Sequence, residues 1–142
     1  MSAFAPYNLA IASMAAFALL TLAIAPIAAM RKARAGVVSG ASPTPDYADP
    51  TYRLWRAHLN ATEIIGVFVA VTVSAMLAGA AAFWVDLFAV LFVVSRLAHA
   101  AIHIAGVGAP DYGPRTFLFV FGWTMCALLA LLAIVAALGR SG

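Results

Sequence analysis

The chain has a single cysteine, so a disulfide within it is excluded, and Cys126 stands in an apolar run where a small packing residue is the expected role. Charge is scarce too. Only 9% of the 142 residues are Asp, Glu, Lys or Arg, where soluble domains carry about 25%. Hydrophobic residues make up 65%, at a mean hydropathy of +1.03. A surface this poor in charge cannot be solvated, which excludes a soluble globular domain and leaves an integral membrane protein. Basic residues outnumber acidic ones, 8 to 5. They sit beside or inside hydrophobic runs and form no surface stripe, so no nucleic-acid partner is expected. A Gly-rich phosphate cradle is also missing.

What is present is a series of long apolar runs. The first, Tyr7 to Met30, is long enough to span a bilayer and tolerates Pro26 near its end. No Lys or Arg precedes it, whereas Arg31, Lys32 and Arg34 follow it. That is the reverse of a secretory signal's charge order and predicts a retained anchor with the following loop in the cytoplasm. Residues 31–51 read as a loop, because Gly36, Gly40, Pro43, Pro45, Asp46, Asp49 and Pro50 are incompatible with a helix. Further helices are expected over approximately 52–79, 83–105 and 115–138, with a tight turn after Gly79, Asp86 at the interface, and a second cytoplasmic loop over 106–114. Arg140 closes the last helix at the far surface. The expected fold is all-α: one domain, 1–142, forming a four-transmembrane-helix bundle that runs up-down-up-down.

Two helices break the apolar pattern. In RLWRAHLNATE, Arg53, Arg56, Asn60 and Glu63 are three, four and three residues apart, which confines them to an arc of roughly 80° on one helix face. Glu63 then lies roughly 16 Å into its helix, close to mid-membrane. In the third helix Arg96, His99 and His103 follow the same periodicity. Arg96 sits roughly 13 Å below the cytoplasmic surface, a depth at which it would meet Glu63. Arg115 opens the fourth helix, above Phe119, Gly122 and Cys126 on one face.

A charge well inside a bilayer costs on the order of 2.5–3.5 kcal/mol and is carried only with a partner or a task. Glu63 can neutralise one of the arginines Arg53, Arg56, Arg96 and Arg115, so the group alone would bury uncompensated positive charge. An anionic ligand removes that penalty, because guanidinium groups grip carboxylates in pairs of bonds, while Glu63 is suited to an ammonium. The guest so implied is small, largely anionic or zwitterionic, and enters from the cytoplasm. His99 and His103 lack the carboxylate or thiolate expected of a zinc site, so no metal is expected. Structural uses of the same groups stay open: snorkelling of Arg53 to the headgroups, a bond from Arg96 to Glu63, and interhelical hydrogen bonding by the histidines.

The string RAHLNATE, Arg56 to Glu63, resembles the RxxxNxxE signature of the MAPEG superfamily, the small four-helix membrane proteins that include microsomal glutathione transferases and membrane prostaglandin E synthase. SRLAHAAIH, Ser95 to His103, is similar to the family's arginine and histidine pattern, and PRTFLF, Pro114 to Phe119, to the start of its fourth helix. The resemblance covers the chain from about Arg31 onward. It implies a homotrimer that binds glutathione between subunits. Arg31 or Arg34, Arg53, Arg56, Asn60 and Glu63 would hold the tripeptide's charged ends, with Arg96, His99 and His103 also in the glutathione-binding set. Arg115 would be the catalytic residue, stabilising the thiolate for attack on a lipophilic electrophile or peroxide. Three positions depart from relatives: His103 and Phe119 stand where Tyr is frequent, and Val67 where well-known members have Pro.

The leading expectation is therefore a glutathione-dependent membrane transferase or peroxidase in a bacterial inner membrane, its site open to the cytoplasm. A non-catalytic membrane scaffold of the same fold is the alternative, and an ion pathway through Glu63, Arg96 and the histidines a third.

Overall fold

The computed structural model describes residues 4–108 and 112–139. Arg140 and residues 109–111 of the second loop lie outside them. The described residues form four long helices: α1 (Asn8–Arg34), preceded by one 3₁₀ turn (Ala5–Tyr7), α2 (Pro50–Leu77), α3 (Ala82–Ala105) and α4 (Pro114–Gly139). Each is long and apolar enough to cross a membrane.

Local chemistry sets the ends. The α1 helix runs one turn past the expected stop, so that Arg31, Lys32 and Arg34 occupy its last turn, where basic side chains complement the helix dipole. It stops at Gly36, in the left-handed conformation at φ +73°, with Val37 N–H donating to the Lys32 carbonyl. At the other end, Asp86 does more than lie at an interface. Its Oδ1 accepts from Ala10 N–H at 2.8 Å, satisfying a donor that the first turn of α1 would otherwise leave orphaned. The Tyr7 hydroxyl donates to the Ala80 carbonyl at 2.7 Å, tying the same end to the α2–α3 turn. Asp49 caps α2 through Thr51 N–H at 2.7 Å, and Pro50 follows it at the first helical position.

The α2 and α3 helices pack on each other and on both remaining helices, whereas α1 and α4 share no comparable contact. The central pair therefore carries the interior. Away from the two long loops, that interior is an aromatic plug. Phe68 and Phe92 stack with ring centroids 3.9 Å apart, and Phe17 sets its edge against both, at 6.0 and 5.0 Å. Val85, Ala89 and Leu129 fill the space around it. Outside, Leu9, Leu19, Leu22, Phe83, Val94, Phe117, Leu131 and Val135 are exposed in the single chain. An apolar belt of this extent suits lipid and not water. The protein is an integral membrane protein.

Candidate functional site

The polar groups gather at the end of the bundle that carries the two long loops. Arg56, Asn60 and Glu63 rise along the first half of α2, His99 and His103 face them from the last turns of α3, and Arg115 and Thr116 come from the first turn of α4. With Tyr47 and Phe119 they line one cavity of about 210 Å³. Asn60 is buried, and its Oδ1 accepts from Arg56 Nη2 at 3.2 Å. Arg56 Nη1 lies 3.9 Å from Glu63 Oε1, a loose pair whose carboxylate side chain is 56% exposed in the single chain. An acidic side chain that open, midway along a membrane helix, calls for a covering partner on that side.

Arg96 does not pair with Glu63. Its Nη2 donates to the Asn60 backbone carbonyl at 2.9 Å, and its guanidinium stands 5.1 Å from the Phe119 ring centre, behind the cavity wall. The reason is geometric. Gly122 lets α4 come so close that a β-carbon there would lie 2.9 Å from Ser95 Oγ and 3.0 Å from Arg96 Cδ. The arginine is therefore laid inward across α2, while Glu63 turns outward toward Arg56. Nε and Nη1 of Arg96 remain buried without a hydrogen-bond partner among the described residues, as do both ring nitrogens of His103 and Nδ1 of His58.

Arg53 is committed to the loops. Its Nη1 donates to the carbonyls of Tyr47 and Ala48 at 2.8 and 2.9 Å, and its Nε to the Ile104 carbonyl at 3.2 Å. The Cζ atom would lie 2.8 Å from a β-carbon at residue 106, so only glycine fits there. Arg53 thus does not snorkel; it fastens the first loop to the end of α3 and lines a second cavity, of about 170 Å³, with Tyr47, Gly106 and Arg115. Arg31 and Arg34 are farther off. Both are exposed, and they line a separate groove of about 530 Å³ with Ile27, Met30, Ala35 and Thr51.

The residue that the periodicity could not reveal is Tyr47. It sits in a loop with no repeating pattern, yet its ring covers the Arg115 guanidinium at 4.5 Å and meets the rings of His103 and Tyr52 edge-on at 5.7 and 5.2 Å. Tyr47 and Arg115 together border both cavities. An aromatic side chain two residues before the Asp49 cap was the only signal in the sequence.

In chemical terms the arrangement offers a guanidinium and a carboxylate on α2, two imidazoles on α3 and a second guanidinium at the start of α4. Such a set complements a small molecule carrying both carboxylate and ammonium groups. Compared with known proteins, residues 9–135 match the model of the MAPEG family. No curated protein matches the chain.

Proposed function

The chain belongs to the MAPEG family, whose match takes in nearly all of the four helices, and on that premise we propose that it is a glutathione-dependent transferase or peroxidase acting on lipophilic electrophiles or hydroperoxides. The family contains glutathione transferases and also non-catalytic members, so the site must carry the choice between them. The observation that carries it is the single cavity in which Arg56, Asn60, Glu63 and Arg115 converge. Glutathione has two carboxylates, one ammonium and one thiol. Arg56 and Asn60 suit a carboxylate, Glu63 the ammonium, and Arg115 the sulfur, whose thiolate it stabilises from the start of α4 together with the positive end of that helix. A free thiol has a pKa of about 8.5, and a neighbouring cation brings it toward about 7 or below. Arg53 and Arg96 serve the fold, through the backbone carbonyls they hold. That much of the polar stripe fits the scaffold reading as well.

A cavity of about 210 Å³ falls short of the roughly 300 Å³ or more that a ligand of this size requires. The open flank at Glu63 supports completion by a second copy, in keeping with a homotrimer. Arg31 or Arg34, remote from the cavity within one chain, would then join the ligand from the neighbouring subunit. The basic last turn of α1 supports a cytoplasmic position for the loop end, in a bacterial inner membrane.

The test is a calorimetric titration of glutathione into the purified protein in detergent, coupled to turnover of a lipophilic electrophile. Saturable binding, with turnover reduced about 10²–10³-fold in Arg115→Ala as for loss of one preorganised charge donor, is the expected result. Absence of binding at millimolar glutathione contradicts the reading and leaves the scaffold.

A further inference from the structure

We propose that His103 is the base that takes the thiol proton in this cavity, an assignment that rests on the glutathione reading above. Arg115 can hold a thiolate but cannot make one, because a guanidinium is already protonated and has no acceptor. The proton needs a destination inside a membrane-embedded cavity. Besides the two arginines, four groups on the lining can titrate: Glu63, His99, Tyr47 and His103; the Thr116 hydroxyl and the Asn60 carbonyl are too weakly basic to hold the proton. Glu63 faces the open flank and stands beside Arg56, and Tyr47 is turned face-on to Arg115.

His103 differs from all of these. Like His99 it is buried and borders the cavity, but of the two histidines only His103 has both ring nitrogens buried with no hydrogen-bond partner among the described residues. A buried imidazole used only for packing normally finds a carbonyl or hydroxyl for at least one nitrogen. Here the ring is held by aromatic neighbours, His99 at 5.5 Å and Tyr47 at 5.7 Å between centroids, so its polar atoms are left for whatever enters. Facing it are Arg53 and Arg56 from α2, Arg96 and His99 from α3, Arg115 from α4 and Tyr47 from the loop, with Glu63 on the same cavity wall. Protonating His103 adds a fifth positive charge to four guanidiniums; the thiolate formed in the same step offsets it, and the tripeptide's two carboxylates with Glu63 outweigh its one ammonium.

In the step itself the S–H bond breaks, the proton forms an N–H bond on the His103 ring, and the electron pair stays on sulfur beside Arg115. When the thiolate adds to an activated alkene, the resulting carbanion takes that proton back. When it displaces a leaving group, the proton departs to solvent with it. The pairing of a thiol with an imidazole is a general way to raise nucleophile strength without an external base.

Stopped-flow ultraviolet detection of the thiolate on mixing with glutathione tests the assignment in the wild type, His103→Gln and His103→Ala. Expected are glutathione affinities within a few-fold of wild type by calorimetry, thiolate formation slowed about 10²-fold or more, and partial recovery of the Ala variant in added imidazole. The wild-type rate should not depend on buffer-base concentration, a readout that stands even where the variants fail to assemble. Thiolate formation at the wild-type rate in a variant that binds glutathione, or a wild-type rate set by buffer base, overturns the assignment alone. A wild type that does not bind glutathione overturns it together with the proposed function.

Discussion

The two halves of the bundle treat polar atoms differently. In the half away from the long loops, the Tyr7 hydroxyl reaches the Ala80 carbonyl, Asp86 receives the Ala10 N–H, and the Thr72 hydroxyl bonds back to the Phe68 carbonyl at 2.7 Å. The rest is the Phe17, Phe68 and Phe92 plug. In the loop half, five buried nitrogens on His58, Arg96 and His103 have no partner among the described residues, and the one ion pair among those residues is 3.9 Å wide and open on one flank. Leaving a buried polar group unmade costs about 1–3 kcal/mol. One half satisfies the polar groups named, and the other leaves part of its buried set unpaired. On the proposed function, the first half is the scaffold and the second the site that a charged guest would complete.

Mutations that separate stability from binding sharpen this contrast. Phe92→Ala should have the largest effect, about 3 kcal/mol of stability, at the low end of the range for such a truncation because lipid and not water is the alternative environment for the ring. Thermal unfolding in detergent should show the loss, while the protein that stays folded keeps its glutathione affinity. Arg56→Ala and Glu63→Ala should do the reverse. Each removes one end of the grip on the ligand at about 1.5–3 kcal/mol, roughly tenfold to a hundredfold in Kd, with an unfolding temperature near that of the wild type. Unchanged affinity in both variants would remove the α2 stripe from the site. Tyr47→Ala is the smallest change. It deletes a ring over Arg115 worth about 0.5–1 kcal/mol and joins the two cavities, so KM for glutathione should move by only a few-fold and stability hardly at all. A collapse of stability there would make the loop part of the scaffold.

Much of this was legible in the sequence, and what was not has physical causes. Long apolar runs between turn-rich segments specify four helices, and the three-and-four spacing specifies that Arg56, Asn60 and Glu63 share a face. Periodicity gives a face but not a partner. A long arginine side chain has several reachable acceptors, so equal depth suggested Glu63 for Arg96, whereas the close approach at Gly122 directs it to the Asn60 carbonyl. Arg53 finds three carbonyls that exist only once the loop and the end of α3 have met at Gly106. The use of Asp86 as a cap for another helix likewise depends on a tertiary contact, whereas the extra turn of α1 is closed by local bonds at Gly36 and Val37 that a hydropathy run does not register. Tyr47 escaped because a loop's path has no repeat to read.

Hydrogen exchange with and without saturating glutathione is the most direct measurement of the division into site and scaffold. Binding should protect peptides around 47–63, 96–108 and 112–119, which surround the unsatisfied groups, and leave those across 64–93 and 120–135, which hold the aromatic plug, unchanged. No protection at the loop end, or protection spread evenly over both halves, would contradict the account.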